Sequence, residues 1–360
     1  MNILIAGYGG IGLAVHTLLK ALPFDCINDV LITDIKDGAS GQAMIRDRHE
    51  GIDLVLNVTT DDAASIRDLC RHYDIHYLDT GLDMARDIVD LLPGPDTRRS
   101  VHLLGFGMNP GLIEFMYRRE RLSGRHNALM LESDTAEMGA APFATWSPQI
   151  YYSEAMVEPP FVCVDGELAD LAFDRHRPIV RLEMEDLLPE ADYLWIPHEE
   201  LFSIAANNPD CEFAGYLYSA PNLIQELAIE CRTSGRDFPE VPVRHDLRGC
   251  DTVGLLLTGE TERSRYVYNT ADHQQCFRRF GINGTAWQVA CGVCAGLCLT
   301  PHLAPGSYTM STLPEECLPL VEHCLERLDF IISSRNLQLT PDLAGLSVDL
   351  ADGSTVACCA

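Results

Sequence analysis

Residues 2–12 read NILIAGYGGIG, a short apolar run that ends in a glycine-rich turn. The residues that follow, LAVHTLLKAL at 13–22, have the apolar spacing of a helix. A strand, such a turn and a helix in this order predict a dinucleotide-binding unit with the pyrophosphate at the helix N-terminus. Gly7 permits the tight turn, Gly9 lets the pyrophosphate approach the backbone, and Gly12 allows close helix–strand packing. The residues expected to bind the cofactor here are Gly7, Tyr8, Gly9, Gly10, Ile11 and Gly12.

An acidic residue closes the next strand-like run. This run, DVLITD at 29–34, ends in Asp34, which lies 22 residues after Gly12. An acid at this position hydrogen-bonds the adenosine ribose and repels a 2′-phosphate, so the sequence favours NAD over NADP. Lys36, two residues further on, keeps NADP open as an alternative.

Three more strand-like runs alternate with helical segments, namely DLVLNVTT at 53–60, IHYLDTG at 75–81 and VHLLGFGMNPG at 101–111. This alternation predicts an α/β fold with a Rossmann-like, doubly wound parallel sheet. Ligands bind outside the carboxyl ends of parallel strands. We therefore expect further cofactor contacts from residues at the strand ends, namely Asn57, Thr59, Thr80, Asn109 and Pro110.

The pattern changes beyond about residue 128, where strand-like runs such as ALMLESDT and TVGLLLTG come at wider intervals with proline-rich connections. This change predicts a second, mixed α+β domain that carries the substrate. We expect a NAD-binding domain at 1–127, a substrate domain at 128–330 and a C-terminal segment at 331–360 that could pack on either domain.

The charge balance excludes several classes of partner. The 360 residues include 26 Lys+Arg and 53 Asp+Glu, for a formal net charge of −27. Nucleic acids and anionic membranes bind through clusters of cations, so neither is an expected partner. The two lysines of the chain, Lys20 and Lys36, make a lysine Schiff base an improbable mechanism. The apolar runs are too short to span a bilayer and the opening residues lack the features of a signal peptide, so we expect a cytoplasmic protein.

Fourteen cysteines in a chain of this length are too few for a disulfide scaffold. Three of them, Cys291, Cys294 and Cys298, share one face of a predicted helix within AWQVACGVCAGLCL. A metal or redox site would need a fourth ligand and polar surroundings, so the run favours a buried core helix. The sequence therefore predicts no metal site.

The predicted second domain contains several short acidic motifs, which are ESDT at 132–135, SE at 153–154, PHEE at 197–200 and CDT at 250–252. A tryptophan, Trp146 in TWS, lies eight residues before Glu154. Each motif also has an ordinary explanation. Charged residues usually lie on a solvated surface, and Trp146 or His198 could belong to the core.

The motifs of the two domains, read in order, resemble those of bacterial homospermidine synthases, which are relatives of saccharopine reductase. The series is GYGGIG, NVTTD, LDT, GMNPG, ESDT, TWS with SE after it, PHEELFSIA and DTVGLLLTG, and it covers residues 1 to about 330. The glycine-rich turn is shared with many dehydrogenases. The NPG turn, the TWS-to-SE spacing and the pattern H-x-E-x-x-S-I-A are much more specific.

The resemblance implies an enzyme that joins two putrescine molecules into homospermidine with loss of ammonia, while NAD is reduced and re-oxidised within one turnover. It also implies a homodimer. Six acidic residues would then hold ammonium groups or line their approach, namely Glu132, Glu154, Glu200, Asp251, Asp61 and Asp83. Asp83 stands where the family tends to have a longer glutamate.

Three other residues acquire roles through the resemblance. Trp146 would stabilise cationic amines through its π face. Asn109 would orient the amine and the nicotinamide together. His198 is the first choice for proton transfer, because its unperturbed pKa of about 6.5 is closest to neutral.

Two other functions stay open. An amino-acid or carboxyspermidine dehydrogenase of the same superfamily, such as a saccharopine dehydrogenase-like enzyme, would release reduced cofactor. It would need arginine for the substrate carboxylate, and Arg118, Arg119 and Arg121 lie close after the NPG turn. A non-enzymatic NAD-sensing protein would bind the dinucleotide without any role for Trp146.

Overall fold

The computed structural model describes residues 1–22, 24–34, 40–59, 63–81, 99–172, 179–184, 186–259 and 263–359. Contacts between residues divide the chain into two compact units. The first unit comprises Met1–Leu112 and Ala286–Phe330, and the second comprises Ile113–Thr285 and Ile331–Ala360.

The strands of the described residues are, in chain order, β1 Asn2–Ala6, β2 Asp29–Thr33, β3 Leu54–Asn57, β4 His76–Asp79, β5 Val101–Leu103, β6 His126–Asp134, β7 Phe161–Val164, β8 Glu167–Asp170, β9 Ile179–Met184, β10 Leu188–Trp195, β11 Cys211–Ser219, β12 Cys250–Gly259, β13 Arg265–Asp272, β14 Gly306–Tyr308, β15 Ser333–Asn336, β16 Ser347–Asp349 and β17 Thr355–Ala357. The α-helices are α1 Gly10–Ala21, α2 Gly41–Arg48, α3 Ala63–His72, α4 Leu112–Glu120, α5 Pro148–Tyr152, α6 Glu200–Ala206, α7 Asn222–Ser234, α8 His273–Phe280, α9 Gly284–Leu299, α10 Leu318–Arg327 and α11 Pro341–Ala344. A π-helical turn covers Ser153–Val157, and short 3₁₀ helices cover His49–Gly51, Thr300–His302, Met310–Thr312 and Glu315–Cys317.

Within the described residues, the first unit contains a six-stranded parallel sheet in the order β14-β5-β4-β3-β1-β2. Its central strands are continuous apolar runs whose side chains are buried on both faces, as at residues 3–5 and 54–56. The strand order reverses between β1 and β3, which makes a topological switch point at their carboxyl ends. The prediction of a Rossmann-like, doubly wound parallel sheet is confirmed.

The boundaries of the two units differ from the domain boundaries expected at 127 and 330. Residues 286–330, expected in the substrate domain, belong to the first unit, where β14 pairs with β5. Helix α9 also packs there, so closely that a Cβ on Gly292 would lie 2.0 Å from the carbonyl oxygen of Gly107. Almost all of α4, expected in the NAD-binding domain, belongs to the second unit. These assignments depend on contacts between distant parts of the chain, and such contacts cannot be predicted from a local sequence pattern.

The second unit contains a mixed sheet in the order β15-β13-β12-β6-β11-β10-β9, with β7 beside β11 and β8 beside β7. Strands β6 and β11 are parallel, whereas β12 runs antiparallel to β6. The C-terminal segment joins this unit, because β15 pairs with β13 and Val348 packs in the core with Trp195 and Phe213. The prediction of a mixed α+β unit is confirmed.

Helix α9 is the core helix predicted from its apolar sequence. Cys291 and Cys294 are fully buried, whereas Cys298 is half-buried, with Cys26 beside it. Among the described residues, no single helix is long and apolar enough to cross a membrane. The segments 273–280 and 284–302 reach that length and composition only when taken together as a bent pair.

Candidate active site

We call Gly7–Gly12, between β1 and α1, the nucleotide turn. Gly7 has a φ of +96°, which favours glycine, and a Cβ on Gly12 would lie 2.1 Å from the carbonyl oxygen of Gly7. No atom lies within 4 Å of a Cβ built on Gly9, which is the N-cap of α1 and carries no capping side chain. The tight turn, the open space and the uncapped helix start fit the pyrophosphate of a dinucleotide.

Asp34 lies beside the nucleotide turn. Its Oδ2 accepts a hydrogen bond of 2.7 Å from the Tyr8 N–H. The Tyr8 hydroxyl lies 2.7 Å from Nδ1 of His16 on α1, which fixes the tyrosine against the helix. These contacts place the Asp34 carboxylate where it can reach a ribose bound along the turn.

At the end of β3, Asn57 shapes the turn that faces the nucleotide turn. Its Nδ2 donates to the Tyr77 hydroxyl at 3.0 Å, and its Oδ1 accepts from the Thr59 N–H at 3.2 Å and from the Thr59 hydroxyl at 2.7 Å. A Cβ on Gly7 would lie 3.0 Å from Cγ2 of Thr59. The two turns at the switch point of the sheet therefore touch, and Asn57 acts there by bonding within the protein.

The ends of β4 and β5 are connected through Asp79, whose Oδ1 accepts a backbone N–H of the loop after β5 at 2.8 Å. That loop is closed by the Gly107 N–H, which donates to the Pro110 carbonyl at 2.9 Å. A Cβ on Gly107 would lie 3.5 Å from Cβ of Thr80. Thr80, Asn109 and Pro110 thus share one edge of the parallel sheet, as expected. Asp79, which holds this edge together, was not singled out from the sequence.

Three residues singled out from the sequence, Lys36, Asp61 and Asp83, lie outside the described residues. The choice between NAD and NADP through Lys36 therefore stays a prediction. The same holds for the amine contacts of the two aspartates.

In the second unit, three acids lie on one face of the mixed sheet, and we call Glu132, Asp134 and Asp251 the strand acids. Glu132 and Asp134 are two residues apart on β6, and Asp251 on β12 is paired with Asp134 across the strands. They are 6%, 3% and 0% exposed. Burial, then the charges of Glu132 and Asp134, raises the pKa of Asp251 well above its usual range, although the Thr285 hydroxyl donates to it at 2.6 Å. Like charges buried together favour a cationic ligand.

A second group of acids surrounds His198, and we call Glu154, Glu199 and Glu200 the loop acids. Glu154 lies in the π-helical turn, a feature found frequently at functional sites, and the other two lie at the start of α6. Nδ1 of His198 is hydrogen-bonded to Oε2 of Glu200 and lies 3.6 Å from Oε2 of Glu199. The other oxygen of Glu200, Oε1, is buried and has no hydrogen-bond partner among the described residues.

Burial and repulsion by neighbouring carboxylates shift the pKa values of Glu154 and Glu199. Burial, then the charge of Glu199, raises the pKa of Glu154 to about 8, against the lowering effect of His198. Burial likewise raises the pKa of Glu199 to about 7. Burial by itself would lower the pKa of His198, but the loop acids raise it to about 10. The pKa of His198 therefore lies well above the unperturbed value of about 6.5 on which its choice for proton transfer was based, because the neighbouring carboxylates favour the imidazolium.

Two tyrosines of β11 connect the strand acids with the loop acids. The Tyr216 hydroxyl donates to Oε2 of Glu132, and its ring meets the His198 ring edge to face with centroids 5.1 Å apart. Tyr218, on the same face of β11, lies beside the Trp146 indole. Burial raises the pKa of both tyrosines well above the usual range, so both hydroxyls keep their protons. The partly exposed Trp146 thus borders the strand acids through Tyr218.

The structure brings together most of the amine-site residues expected from the sequence, namely Glu132, Trp146, Glu154, His198, Glu200 and Asp251. Sequence reasoning missed Glu199, Tyr216 and Tyr218. The spacing of the tyrosines in EFAGYLYS is a signal for the last two, because residues two apart on a strand share one face. Glu199 lies within the PHEE motif, but its raised pKa depends on surroundings that the motif does not show.

The ligand atoms of His198, Glu199 and Glu200 lie within 4.8 Å of one another, a spacing at which side chains can hold a metal ion. Metal binding would require Nδ1 of His198 without its proton. That nitrogen is hydrogen-bonded to Glu200 in a protonated ring, so the geometry is that of a buried ion pair.

No family model matches the chain, and no curated protein matches it. Among solved structures, it is similar to a homospermidine synthase from Legionella pneumophila in complex with NAD, with 15% identity, a TM-score of 0.73, and 94% of this chain and 92% of that chain covered. It is also similar to saccharopine dehydrogenase (L-Glu forming) from Saccharomyces cerevisiae, with 10% identity, a TM-score of 0.62, and 94% and 100% of the two chains covered. At these identities the similarity shows the fold.

Proposed function

We propose that this chain is an NAD-dependent enzyme that joins two putrescine molecules into homospermidine with release of ammonia. The observation that carries the proposal is the set of strand acids, which are buried, together with the loop acids, of which Glu200 is buried and Glu154 and Glu199 are half-buried. Among the described residues, the principal charges that act on Glu154, Glu199 and Asp251 are other carboxylates and His198. Buried carboxylates, such as Glu200 with its unpartnered oxygen, require donors or opposite charge, and an ammonium group supplies both.

NAD is the proposed cofactor. The nucleotide turn has open space at Gly9 for a pyrophosphate, and Asp34 lies beside it for the ribose. The similar fold of the L. pneumophila enzyme, whose structure contains NAD, supports the same assignment. Bound NAD would accept a hydride from the carbon that bears the amine and return a hydride to an imine.

The two groups of acids favour a substrate with two amino groups. Primary alkylamines have a pKa of about 10 in water and arrive as ammonium ions. Glu132 and Asp251 would hold one ammonium group, and Glu154 and Glu200 would hold the other. Trp146 would stabilise a cationic amine or iminium through its π face, by about 0.5–2 kcal/mol.

An ammonium group must lose a proton before a hydride can leave its α-carbon. Glu154, with a pKa of about 8, suits this role near neutral pH better than His198, with a pKa of about 10. We therefore assign Glu154 as the general base. His198, held as an imidazolium by Glu200, would donate a proton to the ammonia that leaves.

No covalent link between chain and substrate is needed. After the first amine is oxidised to an imine, an amino group of the second diamine attacks the imine carbon, and ammonia leaves from the same carbon. Reduction of the new imine would then complete the triamine. Two diamines thus give one triamine and one ammonia with no net change of cofactor, which agrees with a chain that contains two lysines.

A substrate with a carboxylate is the main alternative, and it would need arginine in the site. Arg119 lies 3.4 Å from Glu120, and Arg121 donates to Asn208 at 2.9 Å. These contacts involve residues outside the strand acids and the loop acids. An amino acid or a carboxyspermidine is therefore the less favoured substrate.

The test is to incubate the purified protein with putrescine and NAD, with products followed by mass spectrometry and NADH by absorbance. We expect homospermidine and ammonia in equal amounts without net NADH. Stoichiometric NADH with an amino acid or carboxylated polyamine would support the dehydrogenase instead. NAD binding without turnover of any diamine would support the NAD-sensing protein.

A further inference from the structure

Trp146 lies between two residues whose conformations are held by hydrogen bonds. On one side, Thr145 is buried, and its hydroxyl donates to Oδ2 of Asp134 at 2.8 Å. On the other side, Ser147 is the N-cap of α5, and its hydroxyl accepts the Ile150 N–H at 3.4 Å. An indole on a backbone held from both sides is preorganised before any ligand arrives.

Asp134 is engaged by donors from within the protein. Besides the Thr145 hydroxyl at Oδ2, it accepts the Ala136 N–H at 2.9 Å at Oδ1, and the same oxygen lies 3.0 Å from Nε2 of His273. The carboxylate thus serves three protein groups. Its task therefore differs from that of Glu132 and Asp251, which the proposed function assigns to an ammonium group.

The hydrogen bonds of His273 define its tautomer. The Gly284 N–H donates to Nδ1 at 3.0 Å, so this nitrogen is an acceptor and the ring proton lies on Nε2. Nε2 therefore donates to Asp134. Both side chains are fully buried, so a neutral imidazole orients the carboxylate without solvent.

Asn283 holds the same segment through its backbone. Its Nδ2 donates to the Thr145 carbonyl at 2.6 Å and to the Arg244 carbonyl at 2.7 Å, and the residue is fully buried. Thr145 is thus bonded through both its hydroxyl and its carbonyl, to residues far apart in the chain. Beyond this segment, the Trp146 and Tyr151 rings meet edge to face with centroids 6.5 Å apart.

We propose that Asp134, His273 and Asn283 are positioning residues that hold Thr145, so that Trp146 presents its indole face to the bound amine. The inference rests on the proposed function, because a cationic amine is the group that the indole would contact. None of the three touches the amine in this arrangement, so their effect on turnover passes through Trp146.

The test compares Thr145→Val, which keeps the side-chain shape and removes the hydroxyl, with Thr145→Ser, which keeps the hydroxyl. Both proteins are labelled with 5-fluorotryptophan, and the Trp146 fluorine signal is assigned with Trp146→Phe. We expect Thr145→Val to shift or broaden that signal, without moving those of Trp195 and Trp287. It should also lower kcat/KM for putrescine about tenfold at unchanged NAD affinity. Thr145→Ser should resemble the parent protein in both measurements.

Three outcomes would overturn the inference: an unchanged Trp146 signal in Thr145→Val, a shifted signal with unchanged kcat/KM, or equal losses in Thr145→Val and Thr145→Ser. If Thr145→Val does not fold, Asp134→Asn tests the same hydrogen bond. Asparagine has nearly the volume of aspartate, but an amide group replaces the carboxylate that accepts the Thr145 hydroxyl. Failure of the proposed function is distinguishable. In that case the parent protein does not turn putrescine over, while the fluorine signal still reports whether Thr145 holds the indole.

Discussion

The nucleotide turn and the two groups of acids are built in opposite ways. The nucleotide turn consists of consecutive residues and offers backbone N–H groups, open space at Gly9 and one close contact between Gly7 and Gly12. The strand acids and loop acids are side chains brought together from β6, β12, α6 and the π-helical turn. The first site therefore depends on steric fit, whereas the second depends on burial and charge.

This difference implies different sensitivities. Backbone N–H groups do not titrate, so NAD affinity should change little across neutral pH. Glu154 and Glu199 have pKa values of about 8 and 7, so amine turnover should change strongly there. The two carboxyls interact, and the apparent pKa values seen in kinetics belong to the pair. Substitutions can therefore separate the two sites.

The largest effect is expected from Glu154→Gln. Glutamine has nearly the size of glutamate but cannot accept the proton of the amine, so kcat/KM for putrescine should fall about 100-fold or more. In the parent enzyme, kcat/KM should rise with pH as Glu154 loses its proton around its pKa of about 8. Glu154→Gln should lose the rise in kcat/KM that comes from ionisation of Glu154. The rise that comes from deprotonation of the amine substrate should remain in both proteins. Steady-state kinetics across neutral pH measure the difference.

Stability provides a control on the same residue. Folding raises the pKa of Glu154 from 4.5 to about 8, so its stabilising contribution is complete below 4.5 and is lost as pH rises through 8. Between these pH values, the melting temperature should fall less in Glu154→Gln than in the parent. NAD affinity should be equal in both, and a large loss in the variant would contradict the separation of the two sites.

A methyl group at Gly9 tests the nucleotide turn without disturbing it. A Cβ there meets no atom within 4 Å and the φ of −78° suits alanine, so the melting temperature of Gly9→Ala should not change. A bound pyrophosphate would meet the methyl group, and NAD affinity should fall about 100-fold by calorimetric titration. Gly51→Ala, where a Cβ also meets no atom within 4 Å, is the matched control and should leave NAD affinity unchanged.

Gly12→Ala is the contrasting case at the same turn. Its Cβ would lie 2.1 Å from the carbonyl oxygen of Gly7, so α1 must move and both stability and NAD affinity should fall. If Gly9→Ala and Gly12→Ala lowered the melting temperature equally, the steric account of the turn would be wrong.

The side chain of Asp34 contributes hydrogen bonding to the nucleotide site. Asp34→Ala should weaken NAD binding by about 1–3 kcal/mol, the loss of a hydrogen-bond acceptor. Asp34→Asn keeps an acceptor for the Tyr8 N–H but no longer repels a 2′-phosphate, so it should narrow the preference for NAD over NADP. Calorimetric titration with both cofactors measures these changes, and equal NAD affinity in Asp34→Ala would remove Asp34 from the site.

The sequence predicts the first site more completely than the second. The segment GYGGIG and Asp34 identify the nucleotide turn, because the features that shape it lie within a few residues of one another. These features are the positive φ of Gly7 and the close approach of Gly12 to the Gly7 carbonyl. The first unit departs from the domain boundary expected at 127 for a related reason. Strand β14 pairs with β5 across most of the chain, and no local pattern records such a pairing.

For the acids, the motifs identify Glu132, His198 and Asp251 but not their protonation. The pKa of His198 depends on its burial and on its hydrogen bond to Glu200, and both require the folded chain. The Tyr216 hydroxyl reaches Glu132 only because β6 and β11 are adjacent. Chemistry that depends on burial and on pairing between distant strands cannot be derived from spacing along the sequence.

The smallest of the expected effects, about tenfold or more on kcat/KM for a diamine, comes from Trp146→Ala. One cation–π contact contributes about 0.5–2 kcal/mol, and a tenfold change corresponds to about 1.4 kcal/mol. Trp146→Phe keeps a weaker π face, so its kcat/KM should lie between those of the parent and Trp146→Ala. NAD affinity should be unchanged in both variants, because the contacts described for the nucleotide turn and Asp34 do not involve Trp146. Unchanged turnover in Trp146→Ala would mean that the acids bind the amine without help from Trp146. A parallel loss of NAD affinity would show that the two sites are not independent.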